Sequence, residues 1–222
     1  MMATEPRSNR SRIAAIPAAV AALALAASAA AQTVRYEAQQ TGSKVKMEGT
    51  STIHDWTVES STIDGFIEAD GKLLEATLKD PKPIKPSVQV SIPVSTLKSY
   101  AEAMDAVMQD HLNMADYPRI EYRLIELKPT FAAGAAGPLM FDAVGALTVS
   151  GTTRNIAMPV TIEWLDKARV KIAGSTPLKM TDFDIQPPAP RILGMPLIKT
   201  GDDIKISFEW LLSQKTESAR TH

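Results

Sequence analysis

The chain has 222 residues, 24 basic side chains against 25 acidic ones, three histidines and no cysteine. Without cysteine it has neither a disulfide framework nor a thiol nucleophile, and without a basic excess it lacks the footprint of a nucleic-acid binder. His54, His111 and His222 are too few for a histidine-rich metal site.

The first 31 residues read as an address. Arg7, Arg10 and Arg12 form a basic start, Ile13 to Ala27 is an alanine-rich apolar run, and Ala29 to Ala31 supply small residues before Gln32. That is the layout of a secretory signal peptide, so cleavage is expected after Ala31. An uncleaved anchor is the alternative, since Ile13 to Ala31 is barely long enough to span, and it is opposed by the alanine content and by Pro17. Residues 32–215 are enough for one domain with its own core; residues 216–222 are expected to be a disordered tail. With no cysteine for lipid attachment, no stable membrane span is expected after cleavage.

Most of the remainder alternates apolar and polar residues, the mark of strands with one buried face. Tyr36 and Ala38, then Val45 and Met47, begin it, and two strands are expected around Trp56 to Ala69. Val88, Val90, Ile92 and Val94 share a face. Ser99 to Asn113 changes period: Tyr100, Ala103, Met104, Val107, Met108 and Leu112 have the spacing of one amphipathic helix. Ser99 followed by Glu102 reads as its capping box, and His111 is placed on its polar side, away from Met104 and Met108. Extended chain resumes at Pro118. Ile120, Tyr122 and Leu124 then align, as do Phe141, Ala143, Gly145, Leu147 and Val149. Ile156, Met158, Val160, Ile162 and Trp164 come next, a strand is expected near Val170 to Leu178, and Ile204, Ile206, Phe208 and Trp210 close the series. About eight to ten strands result. The proline-rich segments 79–86 and 185–196 are loops; the second, with Ile192, Leu193 and Met195, is either a lid over a cavity mouth or a connection packed outside a sheet.

Chemistry is sparse. Ser51, His54 and Asp55 are the residue types of a hydrolase triad, but in an extended segment His54 and Asp55 point apart, and no nucleophile elbow is present. Asp182 with Asp184, and Asp202 with Asp203, lack the further oxygen ligands of a calcium loop and read as turn residues. The glycines of "EGTST" and "SGTTRN" lie outside a strand-to-helix phosphate setting. No enzymatic activity and no cofactor are expected. So much apolar strand face with so little helix to cover it is best resolved by closing the sheet into an antiparallel barrel, filled by its own side chains or holding one ligand.

The motifs "VKMEGTSTIHDWTVES", "HLNMADYPRIEYRL", "GALTVSGTTRNIAMPV" and "MTDFDIQPPAP…MPLIKTGDDIKISFEW" stand in the order seen in YceI-like proteins, and residues 33–212 resemble that family. The resemblance implies an exported, periplasmic, all-β lipocalin-like barrel, with one amphipathic helix inserted between strands, whose pore encloses a polyisoprenoid lipid. Isoprenoid quinones and polyprenyl phosphates are the implied ligands, and a stress-related role is the implied setting. In "LNMADYP" the chain departs from the Phe-rich version that many members carry, which bears on the bore. The expected cavity lining is Trp56, Val90, Ile92, Tyr122, Phe141, Met158, Val160, Ile162 and Phe208, with Met104 and Met108 packing at one end. The rival is a ligand-free structural or protein-interaction barrel of the cell envelope. The oligomeric state, a homodimer included, stays open at this level.

Overall fold

The computed structural model describes residues 33–99, 101–189 and 198–215. The expected signal segment, the tail after Lys215, Tyr100, and Ile192, Leu193 and Met195 lie outside these residues. Ten strands are present: β1 (Thr33–Ala38), β2 (Lys44–Ser51), β3 (Trp56–Ser60), β4 (Asp64–Asp70), β5 (Ser87–Pro93), β6 (Arg119–Pro129), β7 (Leu139–Val149), β8 (Thr152–Trp164), β9 (Arg169–Lys179) and β10 (Thr200–Gln214). Two helices join them, α1 (Leu73–Lys79) between β4 and β5 and α2 (Glu102–His111) between β5 and β6.

All pairings are antiparallel, running from β1 through β4 to β10 in order, and β10 pairs back with β1. The sheet is therefore a closed eight-stranded barrel. The hairpin β2–β3 belongs to the same wall. β10 uses one edge for β9 and divides the other, Thr200–Glu209 facing β2 and Leu212–Gln214 facing β1. β1 and β2 thus act as one broken strand, and β3 and β4 as a second.

Side chains hold the breaks. Between β1 and β2 the backbone leaves the ladder, and Leu211 of β10 would lose its partners; its carbonyl accepts from Gln39 N at 2.9 Å and its N–H donates to Ser43 Oγ at 3.0 Å. Between β3 and β4 the freed carbonyl of Ile63 accepts from Trp210 Nε1 at 3.2 Å. Buried backbone polar groups need such partners, so each break is a specified feature of the wall.

Register carries the alternation round the ring. Val90 faces Tyr122, Tyr122 faces Leu147, Ala143 faces Met158, Gly174 faces Phe208 and Met47 faces Ile206. A one-residue slip would turn any of these strands inside out. β6 contains a register step, a bulge between Leu124 and Glu126 that leaves Ile125 exposed and returns Leu127 to the core, and the pairing of β10 with β2 shifts register between Thr200 and Ile204. Leu212, Val58 and Val94 are the most completely buried large side chains.

Two expectations need correction. A second helix exists, α1, whose seven residues are too few to show a helical period. The capping box does not form: α2 starts at Glu102, Ala101 occupies the cap position, and no side chain caps it. Asp105 takes the reciprocal role, its Oδ1 accepting from Ser99 N at 2.6 Å and from Ser99 Oγ at 2.8 Å.

Gly145 shows how tightly the interior is set. A Cβ built there would overlap the ring and hydroxyl of Tyr122, which lies flat across β7. Gly145→Val should destabilise the fold by about 1–3 kcal/mol through overpacking. Urea unfolding followed by tryptophan fluorescence measures it; an unchanged midpoint would contradict this placement of Tyr122.

Candidate functional site

The inward faces do not fill the barrel. Among the described residues they leave a chamber of about 600 Å³ and another of about 240 Å³. They share Val90, Tyr122, Met158, Phe208 and Trp210 as wall, so these five residues form a waist between them. The glycines opposite the large rings make the waist geometrically feasible: Gly145 lies under Tyr122, and a Cβ on Gly174 would sit 2.9 Å from the Phe208 ring.

α2 lies along the larger chamber. Ala103, Met104, Val107, Met108, His111 and Leu112 all contribute to its wall. The chain leaves β5 and returns to β6 at one point, where Val94 N donates to the Pro118 carbonyl at 2.9 Å. α1 sits at the opposite end of β5 and gives Leu73 and Leu74 to the smaller chamber. Each chamber therefore has a helix at its outer end.

All eleven expected lining residues are on a chamber wall. Trp56, Ile92, Met104 and Met108 border the larger chamber, Phe141, Val160 and Ile162 the smaller one, and Val90, Tyr122, Met158 and Phe208 both. Sequence reasoning missed Met47 and Trp210, although both sit on its alternating faces. It also missed Met180 and Phe183, which come from the short 3₁₀ turn Met180–Phe183 after β9 and carry no period-two signal. His111 requires a correction: residues 104, 108 and 111 fall on one stripe of a helix, and His111 borders the larger chamber beside Met104 and Met108. In the divergent "LNMADYP" segment, Leu112 is a wall residue, while Met114 packs against the core.

The stretch from Ser51 to Trp56 forms the rim of the larger chamber. Ser51 Oγ donates to the backbone carbonyl of His54 at 2.7 Å, not to its ring, and His54 Nδ1 faces the backbone carbonyl of Asp55 at 2.7 Å, not its carboxylate. These contacts build a turn, and no nucleophile–base hydrogen bond joins Ser51 to His54. Ile53 at the tip is 60 % exposed. Two of the carboxylates considered for cation binding are engaged locally. Asp202 accepts from Thr181 N at 2.9 Å and Thr181 Oγ1 at 2.7 Å, and Asp184 accepts from Thr152 Oγ1 at 3.0 Å.

Electrostatically the interior is bare. Among the described residues, no lysine, arginine or glutamate borders either chamber, and Asp70 is the one carboxylate, at the edge of the smaller chamber. The polar groups on the larger chamber are Ser51, His54, His111, Thr176, Thr200 and the Tyr122 phenol. Burial pushes the Tyr122 pKa up to about 12, so it stays a protonated donor. Such a site can hold an apolar molecule and orient it with very few hydrogen bonds. Among the described residues, no helix is long and apolar enough to cross a membrane.

Known proteins place this geometry. The sequence matches the YceI-like domain model over residues 29–211. No curated protein matches it. The fold is similar to that of a polyisoprenoid binding domain from Saccharophagus degradans implicated in plant cell wall breakdown, at 15 % identity and TM-score 0.60, covering 81 % of this chain and 98 % of that one. It is also similar to BcnA of Burkholderia cenocepacia, at 16 % identity and TM-score 0.58 over 76 % and 95 % of the two chains. The YCEI protein of Campylobacter jejuni gives 16 % identity and TM-score 0.52 over 72 % and 85 %.

The contact that seats α2 makes the larger chamber's wall sensitive to acid. The Ser99 backbone N–H, and next its hydroxyl, hold the Asp105 carboxyl below its ordinary value of 3.8. A folded-state pKa below the unfolded one means the stabilisation is complete above about pH 4 and disappears as pH falls through the folded value. The protection factors of the α2 amides, taken relative to the intrinsic exchange rate at each pH, should therefore fall on acidification in the wild type. In Asp105→Asn they should be low already at neutral pH and should change little with acid. Equal protection of α2 in both proteins at pH 7 would contradict the assignment.

Proposed function

The chain belongs to the YceI-like domain family, and from that membership we propose that it is an exported periplasmic protein that binds and carries one polyisoprenoid lipid in its bore. Isoprenoid quinones and polyprenyl phosphates are the ligand classes. The observation that carries this reading is the pair of chambers inside a closed barrel, with walls that are mostly apolar and, among the described residues, free of lysine and arginine. A barrel acting only as a structural or interaction module gains nothing from an unfilled interior, because voids forfeit packing. The description of the Saccharophagus domain as polyisoprenoid binding supports the same assignment.

The energetics favour the tail over the head. Burying a methylene is worth about 0.8 kcal/mol, so a five-carbon isoprene unit contributes roughly 3–4 kcal/mol before ordering costs. An exposed ion pair at the mouth adds only about 0–1 kcal/mol. The lining supplied by Met104, Met108 and Met158 suits a flexible, irregular chain, since methionine adapts its shape at little cost. Affinity should therefore rise steeply with each added isoprene unit until the chambers are full, and change much less when the head group is exchanged at constant tail length. Competition against a fluorescent fatty probe measures both series.

Met158 stands at the waist on β8, so Met158→Trp should obstruct the passage between the chambers. A folded Met158→Trp protein should take up short-tailed isoprenoids and lose long-tailed ones. Undiminished uptake of long tails would remove Met158 from the site.

A further inference from the structure

Tyr122 is 8 % exposed, and its hydroxyl is fully buried with no hydrogen-bond partner among the described residues. It is the sole buried side-chain polar atom left in that condition among those residues. An unsatisfied buried donor costs about 1–3 kcal/mol, so native structures rarely retain one without a reason. The location gives the reason. The ring crosses the waist, touches both chambers, and lies over Gly145, where nothing but a glycine leaves room for it.

We propose that Tyr122 is a gate at the waist, able to turn its hydroxyl from its place over Gly145 into the bore and to donate a hydrogen bond there to an uncharged acceptor oxygen on the bound lipid. The inference rests on the reading of the bore as an isoprenoid site and deepens it, by assigning the class of head group that enters. The phenol gives up no hydrogen bond when it leaves this position. Moving the ring off the waist joins the two chambers into one longer bore. The acceptor at the waist must be neutral, because among the described residues no lysine, arginine or histidine borders the waist or the smaller chamber, His54 and His111 bordering the larger chamber alone, and an uncompensated phosphate at the waist would remain a buried unpaired anion. A ketone or quinone carbonyl, or an alcohol oxygen, meets the requirement. A phosphate head stays outside the mouth, with only its tail within.

The test compares wild type with Tyr122→Phe, which deletes the hydroxyl and keeps the ring. Three probes are titrated: a ubiquinone, squalene as an isoprenoid without oxygen, and a polyprenyl phosphate of similar tail length. The expected result is about a fivefold loss of ubiquinone affinity, the size of one net hydrogen bond, with squalene and polyprenyl phosphate unchanged. The empty variant should melt no lower than wild type, since its hydroxyl had no partner to lose. Equal effects on all three probes, no effect on ubiquinone, or a lower melting point of the empty variant would each overturn the gate while leaving the lipid-binding reading intact. A wild type that binds none of the three would overturn both.

Discussion

β10 closes the barrel by giving one of its edges to two partners in succession. Thr200 and Ile204–Glu209 pair with β2 and the last three residues with β1, while the opposite edge runs along β9. A sheet of this length twists too strongly to stay open without exposing edges, and closure also requires the strands to tilt and stagger. Breaking the first two strands meets that requirement, because each half can take a different direction around the wall. The breaks persist because specific groups serve them: Ser43 Oγ and Gln39 N at Leu211, and the Trp210 indole at Ile63. Trp210 thus both holds the wall together and forms part of the waist.

Closure produces the dry interior. Inward positions around the ring face inward positions, so apolar side chains meet one another and the charged ones are left outside. There they form exposed or half-buried pairs, such as Lys171 with Glu163 at 2.9 Å and Arg169 with Asp166 at 2.7 Å. Arg35 joins Glu37 and Glu68 on the same outer surface and stacks over Phe66 at 3.7 Å. These pairs contribute little each to stability; among the described residues they leave the bore without lysine, arginine or glutamate, and with Asp70 alone as a carboxylate at its edge. A bore of that kind distinguishes ligands by length and girth, and the few polar atoms on its wall acquire importance far beyond their number.

Much of this was legible in the sequence, for a definite reason. The pleat fixes a period of two, and one face of each strand had to be buried, so residues such as Ile156, Met158, Val160 and Ile162 declared their common face without reference to any neighbour. The strand residues among those expected on the lining border the chambers on that basis, while Met104 and Met108 do so from the helical stripe of α2. What the sequence withheld depends on partners distant in the chain. Nothing near Ser43 or Ile63 announces a broken strand, because the groups that hold the breaks are on β10. α1 is too short for periodicity to speak, and Met180 and Phe183 reach the chamber from a 3₁₀ turn. His111 was legible and misread: its spacing from Met104 and Met108 places it on their stripe. The Ser99–Glu102 pair had the right letters for a capping box, yet Asp105 reaches Ser99 first.

The central claim is that the bore holds an isoprenoid, and native mass spectrometry of the protein purified from its own cells tests it most directly, with no lipid added and with identification of whatever is released on denaturation. The account predicts a stoichiometric adduct whose mass resolves into isoprene units. A bare polypeptide mass that stays unchanged after incubation with quinones and polyprenyl phosphates would contradict it, leaving a hollow barrel whose partner is another macromolecule.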